Sequence, residues 1–337
     1  MTVVILGDIC LKKFNMESIT KEETVLVTGG TGFIGLYCIK ELLNNGYTVK
    51  TTLRSLSRKD EVNNLLAEAG TSSLEKLSFV TADLTKDDNW DEAVKDCTYV
   101  LHVASPFPAS DPEDANELII PARDGALRVL KAARDAGVKR VVLTSSYAAI
   151  GYSKDPKDHV FTEIDWTDPE LTDNAYVKSK AIAEKAAWDF MDSEGAEMEL
   201  TVINPVGVFG PALGKDFSTS IGMVKAIIEG HLTETPGFTF GIVDVRDVAD
   251  IHLMAMTSPK ANGERFLATS TGVMSLYDIA ELIKKEKPER AHHIAGLQPL
   301  DPSFTVVMSN QKAQDVLGWK PRTKEEAILA SVDSLKE

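Results

Sequence analysis

The stretch from Thr24 to Gly35, Thr-Val-Leu-Val-Thr-Gly-Gly-Thr-Gly-Phe-Ile-Gly, constrains this chain more than any other. A β-branched, apolar run ends in a glycine turn, and a helical pattern starts immediately behind it. Thr24 to Thr28 read as a strand buried on both faces, while Phe33, Ile34, Leu36, Ile39, Leu42 and Leu43 fall largely on one side of the next helix. Gly29 permits the tight turn, Gly32 lets backbone N–H groups approach a pyrophosphate at the positive end of the helix, and Gly35 lets that helix pack close to the strand. The spacing Gly-x-x-Gly-x-x-Gly is one residue wider than the commonest dinucleotide fingerprint. Glycines serve the geometry of such a turn with or without a ligand, so the residues beyond Gly35 must decide.

Composition narrows the field. The chain has 337 residues, 43% of them hydrophobic and 26% charged, enough for one large domain or two unequal ones. A net charge of −15 disfavours a nucleic-acid backbone or an anionic membrane as the general partner. Cys10, Cys38 and Cys97 lack metal or disulfide spacing, and the six histidines include no pair at helical ligand spacing. No metal is expected, and a reducing, cytoplasmic setting fits. No run reaches the length of about 20 apolar residues that a membrane span needs. Residues 1–15 read as a leader or extension, with Met16 as a natural start: the apolar Val3 to Leu6 is too short for a signal core, and its lysines come after it.

The second strand, Tyr47 to Leu53, ends on Arg54, with Arg58 and Lys59 close behind. In a dinucleotide fold the residue about 20 positions beyond the glycines meets the adenosine ribose, where an acid suits NAD and an arginine suits the 2′-phosphate of NADP. Here cations stand where the acid would be, which favours NADP(H) gripped by Arg54, with Lys59 near it. Leu77 to Thr81 and Tyr99 to Val103 read as the third and fourth strands. Their carboxyl ends offer Asp83 to an adenine amino group, or as a turn cap only, and Ala104 as a wall of the groove. Thr31, Phe33, Ile34, Leu84, Val103 and Ser105 belong to the same expected lining.

A helix from Glu117 to Ala136, closed by Gly137, precedes a fifth strand, Arg140 to Thr144, that delivers Ser145 and Ser146. After a loop, Asn174 opens a long helix on which Tyr176 and Lys180 lie one turn apart on the same face. An ammonium beside a phenol stabilises the phenolate, so Lys180 is expected to lower the Tyr176 pKa from about 10 and fit it for proton transfer near neutral pH. The pair alone is a weak signal. It gains weight by coming after a glycine turn, a cationic second-strand end and a serine at the end of the fifth strand, in the order one site requires.

With these residues the chain resembles the extended short-chain dehydrogenase/reductase family, also described as the NAD-dependent epimerase/dehydratase superfamily. Within it the likeness leans to a branch of dihydroflavonol-reductase-like, cinnamoyl-CoA-reductase-like and methylglyoxal-reductase-like carbonyl reductases. The motifs are Thr28 to Gly35, Asp83-Leu84, His102 to Pro106, Thr144 to Ser146, Tyr176-x-x-x-Lys180 and Asn204 to Val206, and the likeness spans nearly everything from Thr24 to Leu335. It implies an α/β fold: a Rossmann-type doubly wound parallel sheet over residues 16–206, then a smaller mixed α/β substrate lobe over 207–337 with some segments returning to the main domain. It also implies that Ser146, Tyr176 and Lys180 are catalytic, that Pro205 and Val206 line the nicotinamide, and that the protein is a monomer or a homodimer.

The expected activity is NADPH-dependent reduction of small aldehydes or ketones. Phe107, Tyr147, Ile150 and Phe209, with Pro106, Pro108 and Phe217, make an apolar substrate wall. Two alternatives remain. A nucleotide-sugar epimerase or dehydratase would need a basic lining, for which Lys215, His231 and Arg246 are thin material; a non-catalytic NADP-binding sensor would have no use for Tyr176 and Lys180. Asp244 to Asp247 reads as a hinge between lobes or as a substrate contact. Some members of the family it resembles carry a proton-relay asparagine in the helix near residues 116–125, and Ile119 to Asp124 offers no equivalent, so the relay is unassigned.

Overall fold

The computed structural model describes residues 23–106, 112–157, 159–214, 218–301, 303 and 305–335. Its frame is a seven-stranded parallel sheet built from β1 (Thr24–Val27), β2 (Thr48–Leu53), β3 (Leu77–Thr81), β4 (Tyr99–His102), β5 (Arg140–Thr144), β7 (Glu199–Pro205) and β10 (Arg265–Ala268). The strand order is β10-β7-β5-β4-β1-β2-β3, which reverses direction between β1 and β4. Ligands of open α/β sheets bind outside the carboxyl ends of the strands at such a switch point. The fold matches the doubly wound class expected from sequence.

Side-chain alternation along these strands builds two cores. Val25, Val27, Leu101, Val142 and Ile203 face α1 (Phe33–Asn44), α2 (Lys59–Glu68) and α7 (Val245–Thr257). Leu26, Val100, Val141, Leu143 and Val202 face the opposite layer of α3 (Trp90–Val94), α4 (Asn116–Asp135) and α5 (Ala175–Glu194). Each such aliphatic side chain contributes about 1.5–3 kcal/mol when fully buried. The sheet therefore holds its carboxyl edge rigidly between two helical layers.

A third core lies outside this sandwich. It joins α6 (Thr219–Ile228), α8 (Leu276–Glu286) and α10 (Lys324–Ser334) to a small sheet of β8 (Gly207–Phe209), β9 (Phe240–Asp244) and β11 (Val273–Met274). A parallel pair of two-residue strands, β6 (Val160–Phe161) and β12 (Val307–Met308), covers Ile150 and Leu267. The late segments are divided between the two regions. The helix α7, the strand β10 and α9 (Gln311–Leu317) pack with the main sheet, whereas α6, α8 and α10 do not.

The segment Asp244 to Asp247 is a structural tie. Asp244 caps α7 and grips Arg246 through both carboxylate oxygens, at 2.8 and 2.6 Å. Asp247 accepts from the Arg322 backbone N–H at 2.7 Å and from its guanidinium, and its carbonyl accepts from the Trp319 indole at 3.0 Å. These bonds fasten the chain ahead of α10 to the start of α7. Among the described residues no helix is long and apolar enough to cross a membrane.

Candidate active site

The turn after β1 is a close-packed one. Gly29 has φ +78°, and a Cβ there would come within 3.1 Å of the Ala104 Cβ. A Cβ on Gly35 would sit 2.4 Å from the Gly29 carbonyl oxygen, so only glycine lets α1 start this close to the strand. Gly30, which has no role in the sequence motif as read above, is equally constrained: its Cβ would meet the Thr51 hydroxyl at 2.3 Å. Thr28 Oγ1 meets His102 Nδ1 at 2.8 Å and accepts from the Ala104 N–H at 3.0 Å, binding the ends of β1 and β4 together.

The first turn of α1 has no side-chain cap and no acidic residue, because Gly32 holds the capping position. Its N–H groups face the cleft without a carboxylate to repel an anion. At the far end of the cleft Arg54 is exposed and lines the wall with Thr52, Leu53, Asp83 and Leu84. Among the described residues Arg54 makes no ion pair. Asp83 does cap its turn: Oδ1 accepts from the Thr85 N–H at 2.9 Å and hydroxyl at 2.8 Å, which hold its carboxyl below the usual range. Among the described residues no hydrogen bond to its second oxygen is seen. A single cleft of about 1180 Å³ runs from these residues past Gly29, Thr31, Gly32, Phe33, Ile34, Val103, Ala104 and Ser105 to Ser146, Tyr176, Lys180, Pro205 and Val206.

Ser146, Tyr176 and Lys180 meet at its centre. Ser146 continues β5 in extended conformation, and its Oγ accepts from the Ala148 N–H at 3.1 Å. Asn174 caps α5 by accepting from the Val177 N–H at 2.9 Å, which places Tyr176 in the first turn. The Tyr176 hydroxyl donates to Ser146 Oγ over a long 3.4 Å, and Lys180 Nζ lies 5.9 Å from the phenol ring centroid.

The electrostatics differ from the sequence expectation. Burial raises the Tyr176 pKa; the Ser146 hydrogen bond works against the rise, and Tyr152 adds to it. Lys180 stands one helical turn away. The ammonium is itself desolvated, and its pKa falls to about 8 despite the opposing charge of Glu184. His102 behind it is driven down to about 3, first by burial and then by Lys180, and is neutral at pH 7.

On the substrate side Tyr147 lines the cleft, stacked edge-on against Tyr152 at 5.7 Å and Phe161 at 5.8 Å. Gly151 makes room for it: a Cβ there would lie 2.1 Å from the Tyr147 hydroxyl. Pro106 also lines the cleft. Ile150 and Phe209 do not, contrary to expectation. Ile150 is fully buried with Phe161 and Leu267, and Phe209 belongs to the third core, where it stacks on Phe240 at 6.2 Å. Lys59 is likewise absent from the cleft, its ammonium lying 5.6 Å over the Phe79 ring. Phe107, Pro108, Lys215 and Phe217 fall outside the described residues.

The wall that sequence reading missed comprises Tyr152, Phe238, Phe240, Val306 and Met308, with Lys154 as a cation. Lys154 Nζ is neutralised at 2.5 Å by Asp165, a carboxylate 3% exposed. Of the other basic residues, Arg246 is paired with Asp244 and His231 lies beside Glu229, and neither lines the cleft. Only the aromatic character of Tyr152 and Phe238 could have signalled this wall, since its segments lie far apart in the chain.

Known proteins resemble the chain over most of its length. Residues 25–268 match the family model described as "NAD dependent epimerase/dehydratase family". A putative uncharacterized oxidoreductase of Schizosaccharomyces pombe is 35% identical, over 93% of this chain and 97% of its own. Cinnamoyl-CoA reductase CAD2 of Medicago truncatula is 34% identical, over 96% and 98%. The crystal structure of yeast methylglyoxal/isovaleraldehyde reductase Gre2 complexed with NADPH superposes with a TM-score of 0.82 at 31% identity, covering 92% of this chain and 97% of that one.

Proposed function

Because this chain belongs to the NAD-dependent epimerase/dehydratase family, we propose that it is an NADPH-dependent reductase of small aldehydes and ketones. The observation that carries the reading is the convergence of Ser146, Tyr176 and Lys180 midway along one cleft, between an anion-receptive glycine turn and an apolar wall. The residues fit the cofactor: Gly32 leaves the helix end open, Gly29 and Gly35 keep backbone close to it, and the exposed Arg54 matches a 2′-phosphate. Relatives named as reductases, one of them complexed with NADPH, support the same activity.

Bound in this groove, NADPH supplies the hydride that reaches the carbonyl carbon. The chain's own residues manage the oxygen. Ser146 Oγ accepts from the Ala148 N–H, which leaves its own proton for the substrate oxygen, and the Tyr176 hydroxyl, held to Ser146 Oγ over 3.4 Å in the free protein, turns from it to the same oxygen when substrate binds. Tyr176 gives its phenolic proton to that oxygen as negative charge develops, and the product leaves as the alcohol. Lys180 holds positive charge beside the phenolate so formed. The raised pKa of the free phenol keeps Tyr176 protonated and ready to donate at neutral pH.

The substrate lobe supplies Phe238 and Phe240 opposite Tyr147 and Tyr152, and the only cation on this wall in the described residues, Lys154, is already paired. Such a wall gains about 25 cal/mol per Å² of apolar surface buried and offers little to offset the desolvation of a charge. Neutral carbonyl compounds with an aryl or alkyl body are therefore the preferred substrates. Loss of NADPH absorbance across matched neutral and anionic carbonyls, with UDP-sugars alongside, tests this. Higher kcat/KM for the neutral members is expected, and a consistent preference for the anionic ones or for UDP-sugars would refute it.

A further inference from the structure

Behind the catalytic residues lies a charged network that the proposed chemistry does not touch. Glu184 sits one helical turn beyond Lys180 on α5, 1% exposed, and four donors converge on its carboxylate. Oε1 accepts from Arg265 Nε at 2.5 Å and from the Trp188 indole at 3.4 Å. Oε2 accepts from the Ser145 hydroxyl at 2.5 Å and from Asn204 Nδ2 at 2.7 Å. The same Asn204 amide donates to the Ser146 carbonyl at 3.1 Å. Arg265 comes from the edge strand β10, and its remaining nitrogens donate to the carbonyls of Glu163, Asp165 and Ala149.

One carboxylate thus ties the end of β5, the end of β7, the edge strand and the catalytic helix together. It also shares with Lys180 a small cavity of about 20 Å³, lined further by His102, Ser105 and Ser145. The charged and titratable groups around Lys180 are few. Its own helix brings Glu184 and Tyr176, and β4 brings the neutral His102; α4 presents only Ala122 and Ala126 to the cavity. Tyr152 faces Tyr176 from the loop after β5, and Arg265 faces Glu184 from β10.

We propose that Glu184, anchored by Arg265, is a positioning residue of this active site: it fixes the strand end that carries Ser146 and keeps a negative charge one turn from Lys180. A buried ion pair is not, of itself, a source of stability, since desolvation offsets most of its attraction. This one has a reason to be retained, because it joins a fixed charge to a fixed geometry at the site of proton transfer. The inference rests on the reductase reading above, and it makes a claim that a merely structural pair would not satisfy. The alkaline limb of the kcat/KM profile reports loss of the Lys180 proton, and Glu184 holds that limb up.

The experiment is the pH profile of NADPH-dependent carbonyl reduction by the full chain, in the parent and in Glu184→Gln. In the parent, activity should fall as pH rises through about 8. In Glu184→Gln the fall should come at lower pH, by about half a unit or more, and kcat should drop several-fold while the KM for NADPH changes less. Glu184→Asp, which retains the charge, should return the limb towards the parental position. If Glu184→Gln strands Arg265 and unfolds, the double variant Glu184→Gln/Arg265→Gln removes both charges at once, and a smaller shift in the same direction is expected, because Arg265 is the more distant of the two charges from Lys180. An active, folded variant with an unmoved limb would overturn the proposal. Failure of both variants to fold would also overturn it, by assigning the network to stability. A parent with no reductase activity would instead refute the functional reading.

Discussion

Replacing Gly35 by alanine tests the contact that lets α1 begin against the first turn. The added Cβ would lie 2.4 Å from the Gly29 carbonyl oxygen and 3.2 Å from its carbon. A comfortable carbon-to-oxygen approach is about 3.3 Å, so the helix must retreat by roughly 0.9 Å. Both partners are backbone, and no side chain can rotate out of the way. Overpacking of this kind costs about 1–3 kcal/mol. With an unfolding entropy of about 2.1 cal/mol/K per residue, a chain of this length should lose about 1–4 °C in Tm. The cofactor effect should be larger, because the same retreat withdraws the helix N–H groups from the phosphates. Losing one charge-assisted hydrogen bond costs about 1.5–3 kcal/mol, so the Kd for NADPH should rise about 10- to 150-fold. Scanning fluorimetry gives the first number and a fluorescence titration of NADPH the second. Gly222→Ala, within α6 and with nothing inside 4 Å of its added Cβ, is the control and should leave both unchanged or raise Tm slightly. A Gly35→Ala protein that melts with the parent and binds NADPH equally well would refute the steric argument.

Tyr176→Phe should bind NADPH nearly as the parent does and lose most turnover, while Ser146→Ala should lose roughly 10²-fold or more in kcat for one missing oxyanion donor; near-parental rates in single-turnover assays would remove both from the mechanism. Arg54→Asp should weaken or reverse a preference for NADPH over NADH by about 10- to 150-fold, from loss of a bidentate phosphate contact, and a parent with equal affinity for the two cofactors would show Arg54 to be a surface charge. Burial depresses His102 to about 3 and His252 to about 4. Their contribution to stability is complete above the unfolded pKa of about 6.5 and is lost as pH falls from there towards those values, because the unfolded chain takes up protons that the folded one excludes. Asp250, raised to about 6 by burial, works the other way in this window, so the readout is the difference between proteins: on urea unfolding between about pH 6.5 and 4.5 His252→Gln should take up fewer protons than the parent, and identical uptake in the two would contradict the burial assignment.

What could be read from sequence is what has a local cause. The glycines at 29, 32 and 35 and the five β-branched strands from Thr24 to Thr144 announce themselves within a few residues. The order of those strands is limited by the right-handed crossover that parallel neighbours require. Arg265–Ala268 carries no such signal. It is four residues long and begins with an arginine that reads as solvent-exposed, and its burial depends on Glu184, 81 positions away. The burial of Ile150 and Phe209 is hidden for a related reason: each sits beside a site residue in sequence, but the backbone turns it into a core built from distant segments. The pKa of Tyr176 is not legible from spacing, because the helical pattern gives the separation of Tyr176 and Lys180 but not their burial, which raises the one and lowers the other. Here the two groups are desolvated together.

The lateness of that edge strand has a consequence for how the protein is made. Residues Thr24 to Pro205 carry the glycine turn and Ser146, Tyr176 and Lys180, yet β7 gains its outer neighbour only when residue 265 and those after it have been synthesised. Until then β7 presents an open row of backbone donors and acceptors, the kind of edge on which chains aggregate. Glu184 is meanwhile an acid waiting without its cation. A nascent or truncated chain that stops short of Arg265 therefore has the three side chains proposed for the reaction and an unfinished scaffold to hold them.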